Sequence, residues 1–399
     1  MSRLAARVNR IAIVAAGVVT PIGEGLEQFW SSLVTGVSGI SPIERFPVAD
    51  FRVGRGGEIK KITRIKDWNR VPECRATRLL VSAADELCAE AGSRPLPGDP
   101  DRVAVVVGTA LGGVEEGEKA LAGGRRLQRL RAALYDSPTQ NLARWLGARG
   151  PAITVSTACA SSATAIGVGA DLLRQGVVDA VVAGGYDILC RFVMRGFDAL
   201  RSLTREEMRP FDRRRSGLLL GEAAALVLMR REGDAGARRL GMLLGHGSAS
   251  DGWHIAAPEP DGRGLEHSIR AAMREAGVEP QDVHFVSAHG TGTPLNDRIE
   301  TAVLKRVLGP RAHQVPVNSI KAGMGHTMGA AAVLEGIMCL LASRHGQIPP
   351  TLNLEEPDSE CDLDYVPGEA RSARPEISLS TSLGFGGCNA TLVLEGGTS

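Results

Sequence analysis

Short apolar runs alternate with stretches of helical composition along this chain, and that alternation constrains its fold more than any other feature. Val103–Gly108, Ala152–Val155 and residues 180–184 have the length and the Val, Ile and Ala content of buried strands. A helix is predicted over residues 161–176, where Gly176 is a suitable C-cap. A strand, a helix and a strand in this order form a crossover unit. The sequence therefore predicts an α/β fold with buried, largely parallel strands.

The second half of the chain repeats this scheme. Residues 284–288 and 315–318 predict strands, and residues 328–344 predict a helix rich in small residues that ends before Gly346. Superposing Gly176 on Gly346 pairs two strand-then-helix units that are 170 residues apart. Residue identity between the two units is weak, so the pattern alone leaves an internal duplication open.

Composition and hydropathy exclude several classes of function. Lys and Arg total 46 and Asp and Glu total 45, so the chain lacks the basic excess of a nucleic-acid-binding protein. No apolar run reaches the roughly 18 residues of a membrane span. Residues 11–19 follow three arginines, as in a signal peptide, but their Ile and Val content and the Thr20-Pro21 that follows favour a buried first strand. The seven cysteines include no C-x-x-C pair, which argues against a zinc or disulfide framework and favours the cytoplasm.

The first of four chemical motifs places a cysteine where a strand turns into a helix. Cys159 stands in Thr157-Ala158-Cys159-Ala160, among small residues that permit a sharp turn and close approach of a substrate. The dipole of a helix N-terminus favours a thiolate, which predicts a nucleophile. A lone cysteine is more often a buried core thiol, and the motif by itself leaves that alternative open.

The other three motifs also lie at strand ends or helix entrances, where open α/β sheets hold their ligands. His289 ends a strand and opens a loop of Gly and Thr, whose hydroxyls and amides suit a phosphate or an amide-bearing arm. Lys321 and His326 stand at a glycine-rich helix entrance, where the histidine can donate to a carbonyl and the lysine can be a buried, paired charge. The fourth motif is the glycine loop at residues 383–389 with Phe385.

Together the motifs support a hypothesis of acyl transfer. A thiolate at Cys159 would attack an acyl carbonyl, two loop amides would stabilise the oxyanion, and two imidazoles would donate to a second carbonyl. Hydrolysis by Cys, His and Asp uses the same nucleophile with only one histidine. The pattern of residues alone does not separate these two reactions.

In their order and spacing, the motifs resemble those of the β-ketoacyl-acyl-carrier-protein synthases of the thiolase superfamily, most closely the elongating type II enzymes. The similarity runs nearly from end to end, from Val19-Thr20-Pro21 to Gly384-Phe385-Gly386-Gly387. The resemblance implies a thiolase-like, duplicated five-layer α-β-α-β-α fold. It also implies an N-terminal half, residues 1–250, with the nucleophilic cysteine, and a C-terminal half, residues 251–399, with the two histidines.

The resemblance implies an activity and roles for individual residues. Cys159 would take an acyl chain from acyl carrier protein, and His289 and His326 would assist decarboxylation of malonyl-acyl carrier protein and bind the enolate oxygen. No metal or other cofactor is implied, because the phosphopantetheine arm arrives with the substrate. The other residues implied at the site are Lys321 with its partner Glu335, the gating and oxyanion-hole residue Phe385, Phe197 near the pocket, Thr291 and Thr293 on the phosphopantetheine arm, Asp297 and Glu300 in structural roles, and Ala256 and Gly117 at the pocket.

The family further implies a homodimer that docks an acidic acyl carrier protein. A balanced net charge can hide a local basic patch, although an ordinary solvated arginine is the alternative at each position. The candidate docking residues are Arg70, Arg75, Arg78, Arg125, Arg126, Arg129, Arg131 and Arg201.

Several positions depart from the family pattern, and they favour a specialised ketosynthase slightly over a housekeeping one. They are Ser216, Ala256, Ala322, Met324 and Cys388. Fatty-acid elongation and a specialised lipid or polyketide pathway both stay open. The alternatives to an active ketosynthase are a non-catalytic partner subunit of the chain-length-factor type, a lipid-binding module and a chalcone-synthase-like enzyme. Retention of the cysteine argues against the first, and the second histidine argues against the last.

Overall fold

The strands of this chain form two sets that share one internal order. In the computed structural model the described residues are 10–63, 65, 68–94, 96, 98–123, 126–236 and 239–397. The strands are β1 (Ile11–Thr20), β2 (Gly23–Glu24), β3 (Ile40–Pro42), β4 (Arg55–Gly57), β5 (Val103–Gly108), β6 (Ala152–Val155), β7 (Ala180–Asp187), β8 (Ala223–Arg231), β9 (Gly241–Ser250), β10 (Phe285–Ser287), β11 (Val317–Asn318), β12 (Gln347–Ile348), β13 (Arg371–Ser372), β14 (Ile377–Gly384) and β15 (Cys388–Gly396).

Helices connect and cover these strands. They are α1 (Leu26–Val34), α2 (Arg75–Ala91), α3 (Val114–Leu121), α4 (Arg126–Ala133), α5 (Ser137–Leu146), α6 (Ser161–Arg174), α7 (Arg191–Ala199), α8 (Arg263–Ala276), α9 (Pro294–Leu308), α10 (Lys321–Met324) and α11 (Ala331–His345). Two short 3-10 turns, Ala158–Ala160 and Met328–Ala330, lead directly into α6 and α11. Within the described residues, no helix combines the length and the apolar character that crossing a bilayer requires.

The first set of strands has the order β1-β8-β7-β5-β6 and the second has the order β9-β15-β14-β10-β11. In each set the first two pairings are antiparallel and the last two are parallel. A short pairing of β1 with β9, from Ile11–Leu243 to Ile13–Gly241, joins the sets. The weak repeat in the sequence is therefore a duplication of the backbone.

The sheet is mixed, so the prediction of largely parallel strands is only partly correct. The crossover units at β5, β6, β7 and β10, β11, β14 are parallel, as a connecting helix requires. Strands β14 and β15 instead join through a tight turn that pairs Gly384 with Cys388, and a turn this short makes neighbours antiparallel. The alternation of apolar runs with helices predicts the crossover units but not the antiparallel strand pairs.

The two repeats keep the same backbone around the turns that precede α6 and α11. The turn Ala158–Ala160 and the turn Met328–Ala330 are 170 residues apart, the offset that the sequence indicates. Ala158 and Met328 both have φ near +50°, a left-handed backbone conformation that residues other than glycine rarely adopt. A strained backbone retained in both copies marks these turns as the feature around which the duplication is organised.

Alternate residues of single strands pack into different clusters, which defines five layers. In β5, Ala104 and Val106 face the cluster that contains α6 and α11, whereas Val105 and Val107 face the helices α2 and α5. In β15, Leu392 packs in the same central cluster, while the next residue of the strand packs against α8 and α9. The order is therefore helices, sheet, central helices, sheet, helices, the predicted α-β-α-β-α fold.

Strand β9 holds in the second set the place that β1 holds in the first. We therefore propose that the second repeat begins at Gly241, somewhat ahead of the predicted boundary between residues 250 and 251. The segment that follows β9 then belongs to the same repeat as both histidines.

Candidate active site

The turn Ala158–Ala160 places Cys159, the predicted nucleophile, at the start of α6, where the residue is 6% exposed. The Ser161 hydroxyl accepts a hydrogen bond from the Thr157 amide at 2.9 Å, which closes the turn. Burial raises the pKa of the Cys159 thiol to about 12, although the charge of Lys321 and a hydrogen bond from the Phe385 amide act in the opposite direction. The free site therefore holds a thiol rather than the thiolate that the helix dipole favours.

His289 and His326 face each other beside this cysteine, with ring centroids 5.3 Å apart and planes at 83°. Burial is the main cause that lowers the pKa of both imidazoles well below the ordinary value, and the nearby charge of Lys321 lowers each pKa further. Both rings are neutral at physiological pH. The Nδ1 atom of His326 accepts from the Met328 amide at 3.3 Å, so its Nε2 carries the proton and is a donor.

Lys321 and Glu335 form an ion pair that is 2% and 1% exposed. Burial raises the pKa of the Glu335 carboxyl to about 7, while the Lys321 ammonium acts against that shift. Lys321 is not among the described residues that line the cavity. The Lys321 charge nevertheless lowers the pKa of both imidazoles and so disfavours their protonated form.

Two buried carboxylates from α9 hold the loop that begins at His289. Glu300 accepts from the amides of His289 and Gly290 at 2.7 and 2.9 Å, and from the Thr381 hydroxyl at 2.7 Å. Asp297 accepts from the Gly292 amide at 3.2 Å. Because backbone amides occupy both carboxylates, their geometry fits the structural role that the sequence resemblance implies for them.

One cavity of about 440 Å³ brings together the residues predicted as catalytic or substrate-binding, except Lys321 and Gly117. Its lining includes Cys159, His289, His326, Thr291, Thr293, Phe197, Phe385, Ala256 and Arg201. The Thr291 and Thr293 hydroxyls are 2.9 Å apart, and the rings of Phe197 and Phe385 stack with centroids 5.5 Å apart. The lining therefore combines two stacked aromatic rings with hydroxyls and imidazoles.

Gly117 does not line this cavity, contrary to the prediction. It lies on α3, and a Cβ atom at this position would meet Ala133 of α4 at 3.6 Å. The charged segment around it forms two helices, α3 and α4, that pack on each other, and Gly117 lies at this contact.

The arginines predicted for docking divide into several groups. Arg201 is exposed and lines the cavity. Arg75 pairs with buried Glu222 and donates to the Ile59 carbonyl at 2.7 Å, so it has no free charge for an acidic partner, contrary to the prediction. Three others lie elsewhere on the described surface, Arg78 over the Trp68 ring, Arg129 at 3.8 Å from Glu116 and Arg131 exposed on α4. The side chains of Arg70 and Arg126, and the whole of Arg125, lie outside the described residues.

Sequence reasoning missed Asp187 at the end of β7. Its carboxylate is buried and accepts from the Thr109 hydroxyl at 2.8 Å and from the amides of Ala110, Leu111 and Gly329 at 2.9, 3.1 and 2.6 Å. Asp187 thereby ties the end of β5 to the turn Met328–Ala330. An acid directly after the apolar run of β7 was the available signal, since strand ends carry functional side chains.

His254 is a lining residue of the cavity that the sequence analysis did not predict. Its Nδ1 atom accepts from the amides of Ala256 and Ala257, both at 3.0 Å. The Nε2 atom of this ring therefore carries the proton in the neutral form and is a donor.

Comparison with known proteins gives consistent matches along the chain. Two family models match, the Beta-ketoacyl synthase, N-terminal domain, over residues 8–235 and the Beta-ketoacyl synthase, C-terminal domain, over residues 240–355. The 3-oxoacyl-[acyl-carrier-protein] synthase 2 of Synechocystis sp. is 34% identical, over 97% of this chain and 98% of its own length. The tetracenomycin polyketide synthase ketoacyl synthase alpha subunit of Streptomyces glaucescens is 38% identical, over 97% of each chain.

A solved structure agrees with these relatives. The ishigamide ketosynthase/chain length factor superposes with a TM-score of 0.90 at 34% identity, covering 97% of this chain and 99% of that one. Since the two models together match far more than half of the sequence and the relatives match it nearly end to end, the chain belongs to the β-ketoacyl synthase family and is a ketosynthase of the fatty-acid or polyketide type.

Proposed function

We propose that this ketosynthase joins a Cys159-bound acyl chain to malonyl-acyl carrier protein by decarboxylative Claisen condensation. The observation that carries the proposal is the pair of neutral imidazoles, His289 and His326, lining the same cavity as the cysteine. Neutral donors stabilise an enolate oxygen without forming an ion pair with the malonyl carboxylate. That selectivity for the transition state over the ground state lowers the barrier to carbon dioxide loss.

The first half-reaction is acyl transfer to Cys159. The sulfur attacks the thioester carbonyl, the bond from that carbonyl to the carrier's pantetheine sulfur breaks, and the leaving thiolate takes the cysteine proton. The Phe385 amide already lies within hydrogen-bonding distance of Sγ, so it and the Cys159 amide can hold the tetrahedral oxyanion.

The second half-reaction consumes one proton. The malonyl carbon–carboxylate bond breaks, carbon dioxide leaves, and its electron pair forms the enolate that attacks the acyl carbonyl. The bond from the acyl carbon to Sγ then breaks. Because burial raises the pKa of Cys159 to about 12, the departing thiolate takes a proton from solvent and the free thiol is restored.

The arm of the carrier protein enters as part of the substrate, and the cavity mouth is suited to it. Thr291 and Thr293 offer hydroxyls to the arm, and exposed Arg201 offers a charge to an acidic carrier. Leu200 and Leu295 line the same cavity and are about half exposed.

All seven cysteines are described and all are free thiols, which supports a cytoplasmic location.

The second copy of the chain is the partner we propose for the exposed face of α4. Leu127, Leu130 and Leu134 follow one another at helical spacing and are 67, 44 and 58% exposed. Strand β6 lies at the end of the sheet, with half-buried residues and β5 as its neighbour among the described strands. An edge strand can pair with its copy across a two-fold axis, and the exposed leucines offer a separate apolar surface for a homodimer. Mass measurement in solution tests this, and a monomer would contradict it.

The experiment that tests the function is intact-protein mass spectrometry after incubation with acyl carrier protein that is loaded with acyl chains of graded length. We expect a covalent adduct on the wild-type chain and none on Cys159→Ala. Release of labelled carbon dioxide from malonyl-acyl carrier protein then tests the second half-reaction. A folded chain that forms no adduct at any length would contradict the proposal and favour a non-catalytic partner subunit, while the preferred length would separate fatty-acid elongation from a specialised pathway.

A further inference from the structure

Several polar atoms buried in the interior have no hydrogen-bond partner among the described protein groups. They include Glu335 Oε2, Ser380 Oγ, Ser382 Oγ and His289 Nδ1. Each of these four residues is at most 4% exposed, and none of these atoms reaches bulk solvent. Buried polar atoms are almost always satisfied, since an unpaired one costs about 1–3 kcal/mol.

The register of the strands places these atoms on one face of the second sheet. Ser287 of β10 pairs with Ser380 of β14, and Ser382 lies two residues further toward the cavity. On β14 these serines alternate with Leu379, which packs against the outer helices. Their strand partners on β15, Leu392 and Ala390, belong to the central cluster, so the serines face the central layer.

Helix α11 covers that face and contributes the acid. Glu335 and Cys339 are one turn apart on α11, and the hydroxyls of Ser287 and Ser378 lie close enough to the Cys339 thiol to oppose the rise in its pKa that burial causes. These contacts fix the face of α11 that lies over the serines. The unpaired Glu335 oxygen belongs to the same face.

His289 belongs to the same face of the sheet as Ser287. Along β10 and its continuation, Phe285 faces the central layer, Val286 faces outward and Ala288 again faces outward. Ser287 and His289 therefore face inward. Because His289 lines the cavity while its Nδ1 atom is shielded from solvent, that nitrogen faces the protein interior.

The proposed reaction gives His289 Nδ1 a specific requirement. To donate from Nε2 to the enolate oxygen, the neutral ring must leave Nδ1 without a proton, and this tautomer is favoured when Nδ1 accepts a hydrogen bond. For His326 the Met328 amide is that donor. No described protein group donates to the corresponding atom of His289.

We propose that ordered water, held by Ser380, Ser382 and the free oxygen of Glu335, donates to His289 Nδ1 and fixes its tautomer. This inference rests on the proposed function and makes Ser382 and Ser380 positioning residues for decarboxylation. Buried water typically makes about three hydrogen bonds to such unpaired groups. The site would consist of this chain's own atoms and water, so it is complete without substrate.

The test combines a high-resolution crystal structure of the free chain with separate assays of the two half-reactions. Ser380→Ala, Ser382→Ala and the double variant remove the hydroxyls, Ser382→Thr retains one, and Ser378→Ala is the matched control on the same strand face. Acyl- and malonyl-pantetheine thioesters serve as probes. We expect decarboxylation to fall about ten-fold in the double variant, by analogy with the loss of groups that orient catalytic ligands, while the rate of Cys159 acylation stays unchanged.

Ser382→Thr should restore decarboxylation, and the control should match the wild type. The proposal is overturned if the crystal structure shows no ordered water beside Glu335 Oε2 and Ser382 Oγ. It is also overturned if the double variant decarboxylates at the wild-type rate, or if both half-reactions decline together with the melting temperature. Absence of acylation in the wild type would instead contradict the proposed function, and the crystal structure would still report on the water.

Discussion

The turn that carries the proposed nucleophile, Ala158–Ala160, and its copy, Met328–Ala330, have the same backbone conformation but present different groups to their surroundings. The central position is Cys159 in the first and Gly329 in the second. Within the helices that follow, the position of Glu335 in α11 is occupied by Ala165 in α6. The proposed nucleophile of one copy thus corresponds to a glycine, and the buried acid of the other to an alanine. Duplication supplied the geometry twice, while the chemistry was divided between the copies.

The comparison also shows why the second turn needs a residue without a side chain. A Cβ atom on Gly329 would lie 2.7 Å from both Asp187 Oδ2 and Thr109 Cα. Its amide donates to Asp187 at 2.6 Å. The first turn presents a side chain to the cavity, whereas the second presents its backbone to the other repeat.

The largest effect is expected from Cys159→Ala, which makes the first turn as inert as the second. Condensation should fall by about 10³-fold or more, as for the loss of other enzymic nucleophiles. Because the cysteine borders a cavity, the melting temperature should stay near that of the wild type. Product formation by mass spectrometry and thermal melting are the measurements. A variant that keeps most of its condensing activity would show that the two turns do not differ as proposed.

The next effect concerns the charge pair that the second repeat adds. Lys321→Met leaves Glu335 buried without its partner, and breaking such a pair costs about 3–5 kcal/mol. Loss of the cation should also raise the pKa of both histidines, because Lys321 contributes to lowering them. Denaturant unfolding measures the free energy. The matched control is Lys321→Met with Glu335→Leu, which should recover most of the stability, and equal losses in both variants would contradict the account.

Gly329→Ala tests the second turn directly. The added methyl group meets backbone and carboxylate that cannot move aside, and overpacking of this kind costs about 1–3 kcal/mol. Gly233→Ala is the matched control, because a Cβ atom there meets nothing within 4 Å. Unfolding midpoints that fall equally in the two variants would mean that the close approach to Asp187 does not matter.

The smallest effect is a change in the pH dependence of stability. Burial raises the pKa of Asp187 to about 6, above its value of about 3.9 in an unfolded chain. Its contribution is therefore fully present below pH 4 and is lost as the pH rises to about 6. Asp187→Asn should flatten the fall in unfolding free energy across this window. Asp297, whose pKa burial also raises to about 6, keeps part of the slope in that variant. An unchanged slope would exclude Asp187 as a source.

The sequence predicted the elements that have strong local signals and missed those that depend on distant contacts. Strand β5 has the predicted bounds, Val103–Gly108, and α6 begins at the predicted Ser161, because a buried apolar run and a small-residue helix are visible locally. The antiparallel strand pairs were missed because a short turn, rather than a hydrophobic period, determines the direction of the neighbouring strand. Asp187 was missed because its donors come from β5's end and from the other repeat.

The site shows the same division. Short motifs located Cys159, His289, His326 and Phe385 in the cavity lining, since each motif places a distinctive side chain among small residues at a strand end or a helix entrance. Gly117 failed because pocket depth has no local pattern, and Arg75 failed because the sequence alone does not reveal a buried Glu222 beside it.

The strained turn shared by both repeats has a consequence for how this chain can change over generations. Cys159 comes from one copy and both histidines from the other, so neither copy can be lost, replaced or allowed to drift in shape without loss of the whole. Residues that serve neither task stay free to diverge. Sequence identity between the two copies is therefore weak, while their backbone conformation is preserved.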